Sequence, residues 1–171
     1  MTTSNRKLHE VMYSDLDHEL NTTRRMLERY PAGHADWKPH EKSMPLGRLA
    51  AHVAEIPGYV SMLLDTDELD FSASPPRGPA SYENAADLVA EFDRRSARTR
   101  AALEKLDSEK SESSWTMRDG EKVFFSRPKG ELVRHMMINH LIHHRAQLGV
   151  YYRMLDVPVP GSYGPSADEP M

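Results

Sequence analysis

The stretch NHLIHHRAQLGVYYRML, residues 139–155, sets His140, His143 and His144 in a segment otherwise rich in Leu, Ile, Val and Tyr. Imidazoles are costly to bury unless each ring nitrogen finds a partner, so histidines on an apolar segment need an explanation. His140 and His144 are four residues apart, which on a helix stacks them one turn above each other on the same face. Both rings then reach a common ion at roughly 2.0–2.1 Å, the usual length of a zinc–imidazole bond. Such a pair is weak on its own, because two rings bonded to carbonyls or carboxylates would read the same way. A third histidine, His52 in LGRLAAHVAEIPGYV, falls three residues after Leu49 and four before Ile56, both on an apolar stripe. It therefore also points inward. Three inward histidines on two helices argue for a metal site, with His52, His140 and His144 as its ligands. Nitrogen ligands suit one divalent transition ion, zinc, nickel, iron or copper, without choosing among them.

Two carboxylates join this set. Turning roughly 100° per residue from Leu8, Asp15 and Glu19 fall within the apolar arc of the first helix. They are expected either to orient imidazoles or accept a proton, or else to sit in a wet, open level of the fold. His143 points roughly 60° away from the pair, and His135 lies off the stripe, so both are expected to be partly exposed.

Four helices are expected to position these groups. The first runs from about Arg6 to Tyr30, stepping through Leu8, Met12, Leu16, Leu20 and Leu27. The second runs from Leu46 to about Asp65, with a kink or restart at Pro57, which clashes with the carbonyl of Val53. The third follows a cap at Ser81 and continues through Phe92 to Leu106. The fourth opens near Pro128, a favoured first-turn residue, and carries Val133, Met137, His140, His144, Leu148 and Tyr151. Asp119-Gly120 between WTM and KVFF reads as a short β-hairpin between the third and fourth helices. The tail DVPVPGSYGPSADEPM has four prolines and two glycines. It is not helical, and residues 156–171 are expected to pack on or near the helices. The expectation is one all-α domain over residues 1–171, a four-helix bundle with a minor hairpin and an extended Pro-rich tail.

Composition narrows the partners. The net charge of −4 over 171 residues argues against nucleic-acid binding, which needs clustered excess Lys and Arg. The basic run RRSARTR, Arg94 to Arg100, is interleaved with Glu91, Asp93 and Glu104 and reads as a solvated, ion-paired face. There are no cysteines, which excludes disulfides, Cys-ligated zinc and a thiol nucleophile of the chain's own. The polar start MTTSNRKLHE and the lack of any run near ~18 apolar residues predict a cytoplasmic protein with no membrane partner. A second apolar face on the fourth helix, with Ile138, Ile142 and Gly149, predicts a homodimer contact.

The segments DWKPHEKSMPLGRLAAHVAEIP (36–57), INHLIHHRAQLGVYYRML (138–155) and VPVPGSYGPSADE (157–169) resemble the DinB-like family of small metal-binding helical bundles. The resemblance covers nearly the whole chain. It implies an up-down-down-up four-helix bundle, usually dimeric, holding a divalent metal on the positions of His52, His140 and His144. Ala146 stands where the family often has glycine, a change that suits a helix. Members of known activity, bacillithiol S-transferases and mycothiol-dependent isomerases, use the metal to activate a low-molecular-weight thiol. By that resemblance the chain is a zinc-, nickel- or iron-dependent thiol transferase with a small-molecule electrophile as substrate. Two other readings stand beside it. One is metal-assisted hydrolysis with Asp15 or Glu19 taking a proton; the other is a non-catalytic metal- or ligand-binding stress protein. A carboxylate-bridged di-iron site is excluded, because only Asp15-Leu16-Asp17-His18 approaches its motif and no second copy exists.

Overall fold

The computed structural model describes residues 7–73 and 82–170. The chain is mostly helical with a small three-stranded sheet, not purely helical. Among the described residues no helix is long and apolar enough to cross a membrane.

The first arm is not one continuous helix. It divides into α1 (Leu8–Met12) and α2 (Leu16–Leu27). Tyr13 leaves helical geometry at φ −131° and ψ 50°, and its buried hydroxyl donates to the carbonyl of Gly130, 2.7 Å away. A break leaves carbonyls without helical partners. Arg134 meets this need by donating to the Met12 carbonyl at 2.7 Å while also gripping Asp15 at 2.6 Å. Contacts from far along the sequence override the periodicity here, and the expected start at Arg6 lies outside the described residues.

The second arm breaks where its proline demands. α3 (Leu46–Glu55) gives way to a tight turn at Ile56–Gly58 and then α4 (Tyr59–Asp65). The Thr99 hydroxyl donates to the carbonyl of Pro57 at 2.5 Å, tying this turn to the next arm. β1 (Glu68–Asp70) follows. The third arm, α5 (Ala85–Leu103), is capped by Asn84, whose side chain accepts the Asp87 amide. The expected cap at Ser81 lies outside the described residues. Arg94 and Arg95 pair with Glu91, and Arg100 pairs with Asp17, so the basic run is an ion-paired surface. A short α6 (Ser108–Glu112) precedes the hairpin of β2 (Ser114–Asp119) and β3 (Lys122–Pro128). Gly120 turns this hairpin at φ 57°, a conformation that glycine adopts without strain.

β1 was not expected. It runs parallel to β2, with Leu69 opposite Met117 and Asp70 opposite Arg118. Arg118 bridges Glu68 and Asp70, so three residues too short to show a period are held by ionic contacts. The fourth arm begins at Lys129 rather than at the proline, because Pro128 is still extended at ψ 137°. It comprises α7 (Lys129–Leu132), a π-helical segment (Val133–Asn139) and α8 (His140–Met154). Gly130 is packed so closely that an added Cβ would lie 2.2 Å from the Ser111 hydroxyl and 2.9 Å from the Met12 methyl.

α2 and α3 each pack against both α5 and α8. The shared core includes Leu20, Leu27, Leu49, Val53, Leu63, Phe92, Leu103, Trp115, Leu141, Leu148 and Tyr152. Ile138 is fully buried within the chain, so it is not part of an outward face. Residues 156–170 contain neither helix nor strand. Asp168 bonds Arg153 and the Val159 amide; Glu169 pairs with Arg25 and Arg29 and accepts the Gly161 amide.

Candidate metal centre

α3 carries His52 on the face that meets α8, and the π-helical segment delivers His140 and His144 opposite it. A π-helical stretch gains a residue relative to α-helical winding and so resets which face the following turns present. That reset places His140 and His144 of α8 against His52. His52 Nε2 lies 3.2 Å from His140 Nε2, and His144 Nε2 lies 2.8 Å from the same atom. One ligand nitrogen from each of the three falls within 4.8 Å of the others, with all three rings half-buried. The expected triad is therefore assembled, and among the described residues it is the group able to hold a metal ion.

The outer ring nitrogens decide what the inner ones carry. His140 Nδ1 faces the Met136 carbonyl at 3.3 Å, and a carbonyl only accepts, so Nδ1 carries the proton. His144 Nδ1 donates likewise to the Gln147 amide oxygen at 2.7 Å. In neutral rings both Nε2 atoms are then bare lone pairs, 2.8 Å apart. With that tautomer pair neither donates to the other, and the two lone pairs face a common point at which a cation would be stabilised. A further proton is disfavoured. Burial foremost, then the like charges of His144, His140 and Arg48, lowers the His52 pKa to about 4. Burial also leads the lowering at His140 and His144, where the Met136 carbonyl and Gln147 oppose it only in part. Three neutral imidazoles whose ring nitrogens converge form a group that could hold a divalent transition ion. The two separations from His140 Nε2, 3.2 and 2.8 Å, are somewhat tighter than the roughly 3.4 Å between nitrogens of a tetrahedral site with bonds of ~2.1 Å.

Tyr59 stacks on His140, with ring centroids 6.0 Å apart and planes inclined by 19°. Tyr59 and His140 both border a cavity of about 600 Å³. His143 is exposed, its ring 4.8 Å from that of His144, and it lines the same cavity.

Asp15 and Glu19 do not join the triad. Asp15 is held by Arg134, whose guanidinium lowers the carboxyl pKa. Glu19 does point inward, but its side chain, 3% exposed, meets the equally buried Arg145 at 2.7 Å. Arg145 also bonds the Thr23 hydroxyl and the Glu19 carbonyl, and the Tyr163 hydroxyl donates to Glu19 at 2.8 Å. The ring-orienting groups are instead Gln147 and the Met136 carbonyl. Gln147 was within reach of sequence reasoning, since it follows His144 by three residues on the same face. The carbonyl carried no sequence signal.

The DinB family model matches residues 1–170. Among solved structures, a DinB-like protein from Bacillus cereus is similar at a TM-score of 0.68 and 18% identity, covering 90% of this chain and 97% of that one. A DinB-like protein from Bacillus subtilis is similar at 0.66 and 18%, covering 94% and 99%. These likenesses concern the fold. No curated protein matches the chain significantly.

Proposed function

The chain belongs to the DinB family, and from that premise we propose that it holds one zinc, nickel or iron ion on His52, His140 and His144 to activate a low-molecular-weight thiol toward a small electrophile. The observation that carries this reading is the meeting of two Nε2 lone pairs at 2.8 Å while both Nδ1 atoms already donate elsewhere. When bound, the ion supplies positive charge and open positions that lower a thiol's pKa and hold the sulfur nucleophile beside its target. The chain's own part is to hold and orient. Three neutral imidazoles bind without cancelling the charge, and Gln147 and the Met136 carbonyl fix the tilt of two rings. Tyr59 lies nearly parallel to the His140 ring beside the site. With no cysteine, the chain does not compete with an external thiol for the ion.

Hydrolysis with Asp15 or Glu19 as proton acceptor loses support, because each carboxylate is committed to an arginine. The protein is further proposed to be a cytoplasmic homodimer of up-down-down-up bundles, without nucleic-acid or membrane partners. Its contact is the outward side of α8, where Val150 and Met154 are more than half exposed. Sedimentation velocity reads that state directly.

A panel of low-molecular-weight thiols and small electrophiles, run with the metal-loaded protein, tests the activity. The expected result is turnover that requires both thiol and metal and is lost in His144→Ala. Turnover without any thiol would replace this reading with hydrolysis. Metal binding without turnover would leave a non-catalytic binding protein.

A further inference from the structure

We infer that the cavity beside His140 receives the body of the electrophile, and that this substrate is an uncharged aromatic or branched aliphatic molecule rather than a small anionic metabolite. The inference rests on the metal-site reading for its orientation and on the cavity itself for its chemistry. A volume of about 600 Å³ lies within the ~300–1,000 Å³ of small-molecule pockets. Its apolar wall is built by Tyr59, Met62, Leu69, Phe71, Met117 and Met136, and among the described residues no Lys, Arg, Asp or Glu lines it, the polar side being His135, Asn139, His140 and His143. Against the apolar wall, away from the imidazole side, a carboxylate or phosphate would lose its hydration and meet no Lys or Arg among the described residues, whereas an apolar group would shed water at no such cost. Three thioether side chains give the wall an adaptable shape, so it accepts a class of apolar outlines rather than a single one.

The placement of the cavity ties it to the reaction. His140 belongs both to the triad and to the lining, so a molecule seated here touches a metal ligand. The polar lining groups, Asn139 and His143 among them, come from the same stretch of the fourth arm as His140. A ligand whose one functional group sits at that side and whose remainder is apolar matches both halves. The opposite wall comes from the sheet. Leu69 and Met117 are paired across β1 and β2, and Phe71 at the end of β1 packs edge-on against Phe124 at 6.1 Å. The unexpected third strand thereby acquires a purpose: it places Leu69 and Phe71 over the site.

The test uses the whole chain in its metal-free form, with the neutral fluorophore N-phenyl-1-naphthylamine as probe. Saturable binding is expected in the wild type and in His144→Ala. Binding should weaken roughly tenfold or more when a charge enters the wall in Met117→Glu, because burying it is costly. Phe71→Asp, at a half-exposed position that tolerates a charge, should weaken it in the same direction with unchanged circular dichroism. Neutral 1-naphthalenemethanol should displace the probe at far lower concentration than 1-naphthoate. No saturable binding, equal binding by Phe71→Asp, or equal displacement by the anion would each overturn the inference. Because the probe is read without metal, these outcomes are separate from a failure of the metal site, which metal analysis alone reports.

Discussion

His140 is the residue on which the site turns. Its outer nitrogen is occupied by a carbonyl of its own arm, and its inner nitrogen meets both other imidazoles. The ligand trio was legible because the i,i+4 spacing and the inward phase of His52 are local properties of sequence. The roles of Asp15 and Glu19 were not. A helical wheel shows that a side chain points inward, but not what it meets there. The partners that claim these carboxylates, Arg134 and Arg145, lie 119 and 126 residues further along. Gln147 supports the account by a testable route. Gln147→Leu removes the acceptor for His144 Nδ1–H and should weaken metal affinity roughly 10–100-fold while leaving the fold intact. Competition against a metallochromic chelator measures this, and unchanged affinity would show that the amide is incidental.

At the scale of elements, the breaks matter more than the helices. Pro57 announced its own turn, because a proline ring acts on the residue four before it wherever it stands. The break at Tyr13 announced nothing, since it exists to let a hydroxyl reach Gly130 and an arginine reach Met12. The three-residue β1 was equally silent. Most consequential is the π-helical segment Val133–Asn139, which apolar spacing averages over. Deleting Asn139, an exposed residue of that segment, should return the arm to α-helical winding and swing His140 and His144 by about 100° relative to α7. Helical content should persist while metal binding is lost. Retained binding in that deletion would mean that the winding does not aim the histidines.

On the scale of the whole molecule, the tail and the buried charge pair form one clasp. Arg145 and Glu19 join α8 to α2, and Tyr163 closes over them from the tail. The sequence placed this tail on or near the helices as a non-helical segment, but not the charge pair that Tyr163 closes over. Breaking a buried pair on one side leaves a charge without compensation, so Glu19→Ala should cost about 3–5 kcal/mol in chemical denaturation. Replacing both partners with apolar residues should recover much of that loss. A small effect of Glu19→Ala would mean that solvent reaches Arg145 and that the clasp is looser than its geometry.

The central claim, that three histidines bind an ion, is met most directly by elemental mass spectrometry on untagged protein purified without chelator, beside His144→Ala. The account predicts close to one divalent transition ion per chain in the wild type and its loss in the variant. No ion in the wild type, even after reconstitution with zinc, nickel and iron, would contradict it and leave His52, His140 and His144 as packing residues.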